Sequence, residues 1–172
     1  FCVVVTATFR LFYVLVVIEH RTRRIVHCNV TTHPTAEWTL QQLREAIQSD
    51  HGYRFLIHDR DGIFSPQLDE SITHLGLRVL RTPPRNPQAN AYAERFVRSM
   101  KDECLDRMIL FGEESLRRAL REYIAHYHAE RNHQGVDNRL LEQLATVSSL
   151  DEPIHRRERL GGMLNFYYRE AA

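Results

Sequence analysis

The sequence predicts an α/β domain built on a five-stranded mixed sheet, its first three strands antiparallel, with helices on both faces. Three observations carry this. The first thirty residues hold three runs rich in Val, Ile, Phe and Tyr, parted by short polar breaks, the pattern of an antiparallel meander. From residue 32 onward, stretches with apolar residues at helical spacing alternate with two further short apolar runs, the pattern of helices layered on a sheet. A chain of 172 residues that is 43% hydrophobic and 26% charged is long and apolar enough for one globular core.

Residues 1–8 and 11–18 read as two strands separated by Phe9 and Arg10. The second is apolar throughout and is expected to be buried on both faces. Residues 19–24 form a charged turn, and residues 25–30 a third strand. Thr32-His33-Pro34 opens a helix whose apolar stripe is Ala36, Leu40, Leu43 and Ile47. Residues 53–58 make a short strand that runs into Asp59-Arg60-Asp61-Gly62. Ser65-Pro66 caps a helix with Leu68, Ile72 and Leu75 facing inward. Residues 77–80 are the fifth strand.

The loop at residues 82–85 then leads to a long helix. Asn86-Pro87 reads as its start, an N-cap residue followed by proline. Ala89, Ala93, Phe96, Val97, Met100 and Cys104 form its apolar stripe. Leu116, Ala119, Leu120, Tyr123, Ile124 and Tyr127 mark another amphipathic helix. The pattern weakens beyond residue 131, so residues 1–145 are taken as the core and residues 146–172 as a tail, basic and then aromatic. Arg156, Arg157, Arg159 and Arg169, interleaved with Phe166, Tyr167 and Tyr168, suit DNA contact and packing as a final strand equally well.

A net charge of +1 announces no nucleic-acid partner, so any such binding must come from a local basic face. Three widely spaced cysteines without a Cys-x-x-Cys pair fit free thiols in a reducing compartment. His126, His128 and His133 are the densest histidine group. They have no neighbouring cysteine, and His126 and His128 project to different sides of a helix, which argues against structural zinc. The longest apolar run has eight residues, too short to span a bilayer, and no signal peptide precedes it. No Gly-x-Ser-x-Gly or glycine-rich phosphate loop occurs, and no small-molecule cofactor is expected. The opening Phe1-Cys2-Val3-Val4-Val5 lacks an initiator Met and reads as the inside of a strand, as in a truncated chain.

Two carboxylates stand out. Asp59 follows the fourth strand at its carboxyl end, where functional groups of open α/β sheets collect. Glu94 comes 35 positions later, on the long helix, with Arg98 and Lys101 one and two turns beyond it on the same face. Converging carboxylates suit hard cations such as Mg²⁺. Two such ions roughly 4 Å apart would serve an in-line phosphoryl transfer. The plain alternative is that Asp59 caps a turn and Glu94 pairs with Arg98, a contact worth a few tenths of a kcal/mol.

The stretches around Asp59 (Phe55-Leu56-Ile57-His58-Asp59-Arg60-Asp61-Gly62) and Glu94 (Asn86-Pro87-Gln88-Ala89-Asn90 through Lys101-Asp102-Glu103-Cys104) resemble the integrase core of bacterial insertion-sequence transposases. That core is related to retroviral integrases and is RNase H-like. The segment from His126 to His133 and the turn from Glu19 to Arg24 are similar to further motifs of the family. The resemblance implies a DDE-type core for DNA integration and transposition of a mobile element, by 3′-end processing and strand transfer. It implies Asp59 and Glu94 as catalytic metal ligands for Mg²⁺ or Mn²⁺, and Asn86, Asn90, Arg98 and Lys101 as DNA contacts. It also implies DNA ends and target DNA as partners, a homo-oligomer, and a cytoplasmic, nucleoid-associated location.

Departures from the family pattern qualify these expectations. Its first Asp has no counterpart, since the register places it immediately before Phe1. Glu19 is a poor substitute, being expected on another strand away from the site. A two-metal site is therefore expected only with that Asp restored, and the polypeptide of this sequence is expected to be inactive or impaired. His128 and Asn132 stand where the family has Asn and Pro. An RNase H-like nuclease, or a transposase remnant that binds DNA without chemistry, are the alternative readings.

Overall fold

The longest strand, β2 (Leu11–Ile18), pairs antiparallel with β1 (Cys2–Val5) on one side and β3 (Ile25–Thr31) on the other. Its β-branched and aromatic residues suit a pleated, packed surface. Phe12 and Val14 are fully enclosed and Leu15 nearly so, whereas the strand's last three residues are half-buried. Burial on both faces thus holds only for its middle. The computed structural model that shows this describes residues 1–47, 51–83, 90–133, 138–142 and 153–169.

Helix α1 (Ala36–Ala46) starts two residues after Pro34, because Thr35 is the N-cap and its hydroxyl accepts from the Trp38 amide at 3.1 Å. Pro34 therefore precedes the cap and does not sit in the first turn. β4 (Phe55–His58) and β5 (Arg78–Arg81) run parallel and are connected through α2 (Pro66–His74). α2 begins as its sequence indicates: Ser65 caps the Leu68 amide at 3.2 Å and Pro66 fills the first helical position. Helices α3 (Ala91–Glu103) and α4 (Glu113–Ala129) follow. The expected start at Asn86-Pro87 lies outside the described residues.

The single five-stranded sheet is not formed. The described strands make a three-stranded sheet, β1-β2-β3, and two pairs, β4-β5 and β6 (His155–Arg159) with β7 (Leu164–Tyr168). Register explains the break. β1 covers only residues 11–14 of β2, so residues 15–18 are paired on the β3 side alone, and β4 is paired to β5 alone. The two open edges face a cavity between them, and no strand ladder links them.

Helices do cover both faces. α3 and α4 pack on the three-stranded sheet around Phe12, Val14, Phe96, Met100, Cys104, Tyr123 and Tyr127. α1 and α2 enclose a second cluster, Leu43, Leu68, Ile72 and Leu77. Each such side chain contributes roughly 1.5–3 kcal/mol by leaving water. The three cysteines are free thiols, and burial pushes Cys28 up to about 12 and Cys104 up to about 11.

The tail is a hairpin turning at Leu160, Gly161 and Gly162, all at positive φ. It is tied to α4. Leu164 enters the larger core, Arg159 pairs with Glu130 at 2.7 Å and Glu122 at 2.8 Å, and Arg157 reaches Glu130 at 3.4 Å. The packing alternative accounts for these arginines. Burial raises the Glu130 carboxyl, but hydrogen bonds from Arg159 and His126 outweigh it and hold the group below its usual value.

Glu130 has a side chain only 1% exposed. Removing one partner of such a buried pair costs about 3–5 kcal/mol, so Glu130→Ala is expected to lose that much in urea unfolding. The depressed folded value means that the contribution is full above the unfolded value of about 4.3 and is lost as pH falls through the lower folded one. Glu130→Gln should flatten the acid limb of a stability–pH curve in that window.

Candidate nucleic-acid and metal site

The cavity between the open edges of β2 and β4 has a volume of about 520 Å³. Leu15 to Ile18 and the turn residues Glu19 to Arg21 form one wall, and Gly52 to Asp59 the other. Asn90, Ala93, Glu94 and Val97 of the α3 region border it. Asp59 and Glu94, from different parts of the chain, therefore open on one space.

Each reaches it for a local reason. Asp59 is the first residue beyond β4, in a turn it helps to make: its Oδ1 accepts from the Asp61 amide at 3.2 Å. The turn-capping role and exposure to the cavity coexist in this one side chain. Glu94 lies exposed in the first turn of α3, where a carboxylate is favoured by the helix dipole. Phe96 and Met100, buried on the opposite side, fix that orientation. The Glu94–Arg98 ion pair that the spacing allows is absent among the described residues.

The other residues singled out by sequence separate. Arg98 is exposed beside Glu94, whereas Lys101 is half-buried. Burial raises the Cys2 thiol, and the Lys101 charge opposes that rise. Asn90 stands at the N-cap position of α3 without a capping side-chain bond, and it lines the cavity. Asn86 lies outside the described residues. Glu19 corrects the expectation that it sits away: it also lines the cavity, but Thr22 donates to its Oε2 at 2.5 Å and Arg21 lies 3.7 Å from Oε1.

A supporting network behind Asp59 escaped the sequence reading. His58 and Arg81 are register partners across β4 and β5, and both reach Asp69 in the first turn of α2. His58 Nε2 donates to Asp69 Oδ1 at 2.9 Å and Arg81 Nε to Oδ2 at 2.6 Å. His58 Nδ1 lies 2.5 Å from the Asp59 carbonyl oxygen, and its ring stacks on Phe64 at 4.1 Å. The one signal in sequence was a histidine beside the strand-end aspartate. Its partner depends on strand pairing, which periodicity does not encode.

Among the described residues, no three or more His, Cys, Asp or Glu side chains are gathered to hold a metal ion. Asp59 and Glu94 border one cavity, and a pair of carboxylates completed by water is a donor set that hard cations such as Mg²⁺ accept. The candidate zinc histidines are engaged elsewhere. His128 Nε2 accepts from the Ile25 amide at 2.9 Å, His126 bonds Glu130, and His133 Nε2 donates to the Tyr127 carbonyl at 2.7 Å. No described helix is long and apolar enough to cross a membrane.

Residues 75–140, which hold Glu94, α3 and α4 but not Asp59, match the model of the integrase core domain family. No curated protein matches the chain. Solved structures share its fold, two of them as follows. One is the catalytic core domain of BIV integrase, at 18% identity and TM-score 0.56, with 78% of this chain and 84% of that one covered. The other is a chain of the simian T-cell lymphotropic virus intasome in complex with PP2A regulatory subunit B56 gamma. It shows 12% identity and TM-score 0.64 over 98% of this chain, which spans only 64% of that chain's length. The fold is thus the α/β fold of retroviral integrase cores.

Among the described residues Glu94 makes no hydrogen bond or ion pair that Gln would break, whereas Asp69 bridges His58 and Arg81. Glu94→Gln should shift stability by less than about 0.5 kcal/mol, and Asp69→Asn should cost about 1–3 kcal/mol. Paired chemical denaturation curves measure the contrast.

Proposed function

We propose that the chain is the core of a transposase-type recombinase that acts on DNA, and that the polypeptide of this sequence binds DNA without completing the joining reaction. The observation that supports it most is the meeting of Asp59 and Glu94 on one cavity, with Arg98 exposed beside Glu94. In this reading Asp59 and Glu94 hold a divalent cation, Mg²⁺ or Mn²⁺. Arg98, with Asn90, Asn86 and Lys101 nearby in sequence, meets the phosphates of the DNA end. A bound ion polarises the phosphoryl oxygen and activates the attacking one. The protein's part is to fix the DNA strand over the first turn of α3 and to keep the two carboxylates open to it. Two carboxylates do not make a two-ion site, which is why joining is expected to fail.

A pre-cut DNA end incubated with the protein in Mg²⁺ tests this. No joined product is expected from the polypeptide as it stands. Joining should appear when an alternating apolar strand ending in Asp is placed immediately before Phe1, and Glu94→Gln in that extended protein should abolish it. Efficient joining by the unextended polypeptide, or joining that survives Glu94→Gln, would contradict the assignment. Hydrolysis of DNA without joining would favour a nuclease.

Assembly of more than one copy on paired DNA ends belongs to the same proposal. Phe9, Ile109 and Phe111 are 90%, 69% and 74% exposed on segments joined by the Ala7–Leu110 backbone hydrogen bond. Exposed apolar side chains brought together this way mark interaction surfaces. Sedimentation should show an oligomer that Ile109→Ser with Phe111→Ser reduces to monomer; an unchanged distribution would remove this face from the interface.

A further inference from the structure

A second cavity, of about 260 Å³, lies on another flank of α3. Arg23 from the turn after β2, Arg95 from α3 and Arg131 from just beyond α4 surround it, with Ser99 and Asn132 beside them. One carboxylate answers these three guanidinium groups. Glu103 accepts from Arg131 through both oxygens, at 2.7 and 3.1 Å. Arg23 and Arg95 make no ion pair among the described residues.

Arg23 is held there by its backbone conformation and by stacking. Arg23 has φ +66°, a left-handed conformation disfavoured for a residue with a Cβ. In that conformation its guanidinium lies 3.0 Å from the centre of the Tyr92 ring, and Nη1 donates to the His20 carbonyl. All three arginines act on Tyr127: burial pushes its phenol up, and Arg131, Arg23 and Arg95 pull against that rise. The neighbouring histidines add little charge. His20 is lowered by burial and then by Arg23, and His133 by burial and, against its bond to the Tyr127 carbonyl, by Arg131.

Like charges gathered round one space repel each other, and packing alone gives no reason to collect them. A phosphate gives one, since the planar guanidinium fork matches its oxygens and a Ser hydroxyl and Asn amide add neutral donors. Position on α3 suggests the source. At 3.6 residues per turn, Arg98 lies about 40° and Arg95 about 100° around the helix from Glu94. The exposed band Glu94–Arg98–Arg95 therefore leads from the first cavity into the second. A helix about 10 Å across separates them by a few nucleotide steps of about 3.4 Å.

We propose that this cavity is a subsite for a backbone phosphate of DNA, entered by the strand that passes over α3 beside Glu94. The DNA assignment rests on the functional reading above; the capture of a phosphate does not.

Two arms test them separately. In the first, inorganic phosphate is titrated into the labelled protein without DNA or metal. Saturable shifts are expected at Ser99, Asn132 and His133, lost in Arg95→Gln and in the Arg23→Gln, Arg95→Gln double variant, and kept in the exposed control Arg121→Gln. Arg95 is exposed, so Arg95→Gln keeps the test valid if the double variant fails to fold. In the second arm, duplex affinity is measured against salt. The double variant should lower the slope of log K against log salt by about 0.9, the value for one phosphate contact. Absence of phosphate shifts overturns the subsite, even with DNA binding intact. Phosphate shifts with an unchanged slope overturn the DNA assignment and leave a free-phosphate site. Phosphate shifts in a protein that binds no DNA overturn it through failure of the functional reading.

Discussion

The packing of α3 onto the three-stranded sheet fixes almost everything that faces outward. Phe96, Met100 and Cys104 are driven from water against Phe12, Val14 and Tyr123, and the Phe96 ring meets Tyr127 edge-on at 4.8 Å. These contacts lock the rotation of the helix about its axis. With the apolar stripe turned inward, Glu94 and Arg98 have no direction left but outward, toward the gap beside β2. Arg95 and Ser99 are turned toward the second cavity by the same rotation. Two charged cavities on one helix are therefore consequences of a single hydrophobic interface.

Strand pairing is the second constraint, and it acts in the opposite sense by leaving something open. A ladder satisfies the backbone of both strands it joins, so a strand paired on one side alone keeps a row of unmet donors and acceptors on the other. Residues 15–18 of β2 and all of β4 are in this state, facing each other across the larger cavity. The His58–Asp69–Arg81 network then holds the β4 end in place from behind.

What sequence reveals and what it hides divide along the same line. Local features were legible. The run at residues 11–18, the Ser65-Pro66 cap and the stripe through Phe96 and Met100 are each set by neighbours within a few residues. Asp59 and Glu94 stood out because a strand end and a helix face are local too. Pairings made through space were not legible. Nothing near His128 announces that its ring accepts from Ile25, 103 positions away. Nothing near Arg159 announces Glu130, and the expectation of one continuous sheet assumed a pairing of β4 that periodicity cannot specify. Glu19 was misplaced for the same reason, since its position depends on which edge of β2 stays open.

The distribution of arginines completes the case for where DNA would lie. A net charge of +1 over the whole chain gives no overall attraction, so binding depends on which cations are left without a carboxylate. The tail is the most basic stretch by sequence, yet Arg156, Arg157 and Arg159 all pair with Glu158, Glu130 or Glu122. Such pairs offer a phosphate little, because taking it up would mean breaking them and stranding a carboxylate, which for Glu130 is buried. On α3 the situation is reversed: Arg95 and Arg98 are exposed and have no carboxylate partner among the described residues. A polyanion gains most by releasing counterions where cations are unneutralised. The face that carries Glu94 is thus one where a phosphate backbone would meet little competition from the protein's own carboxylates.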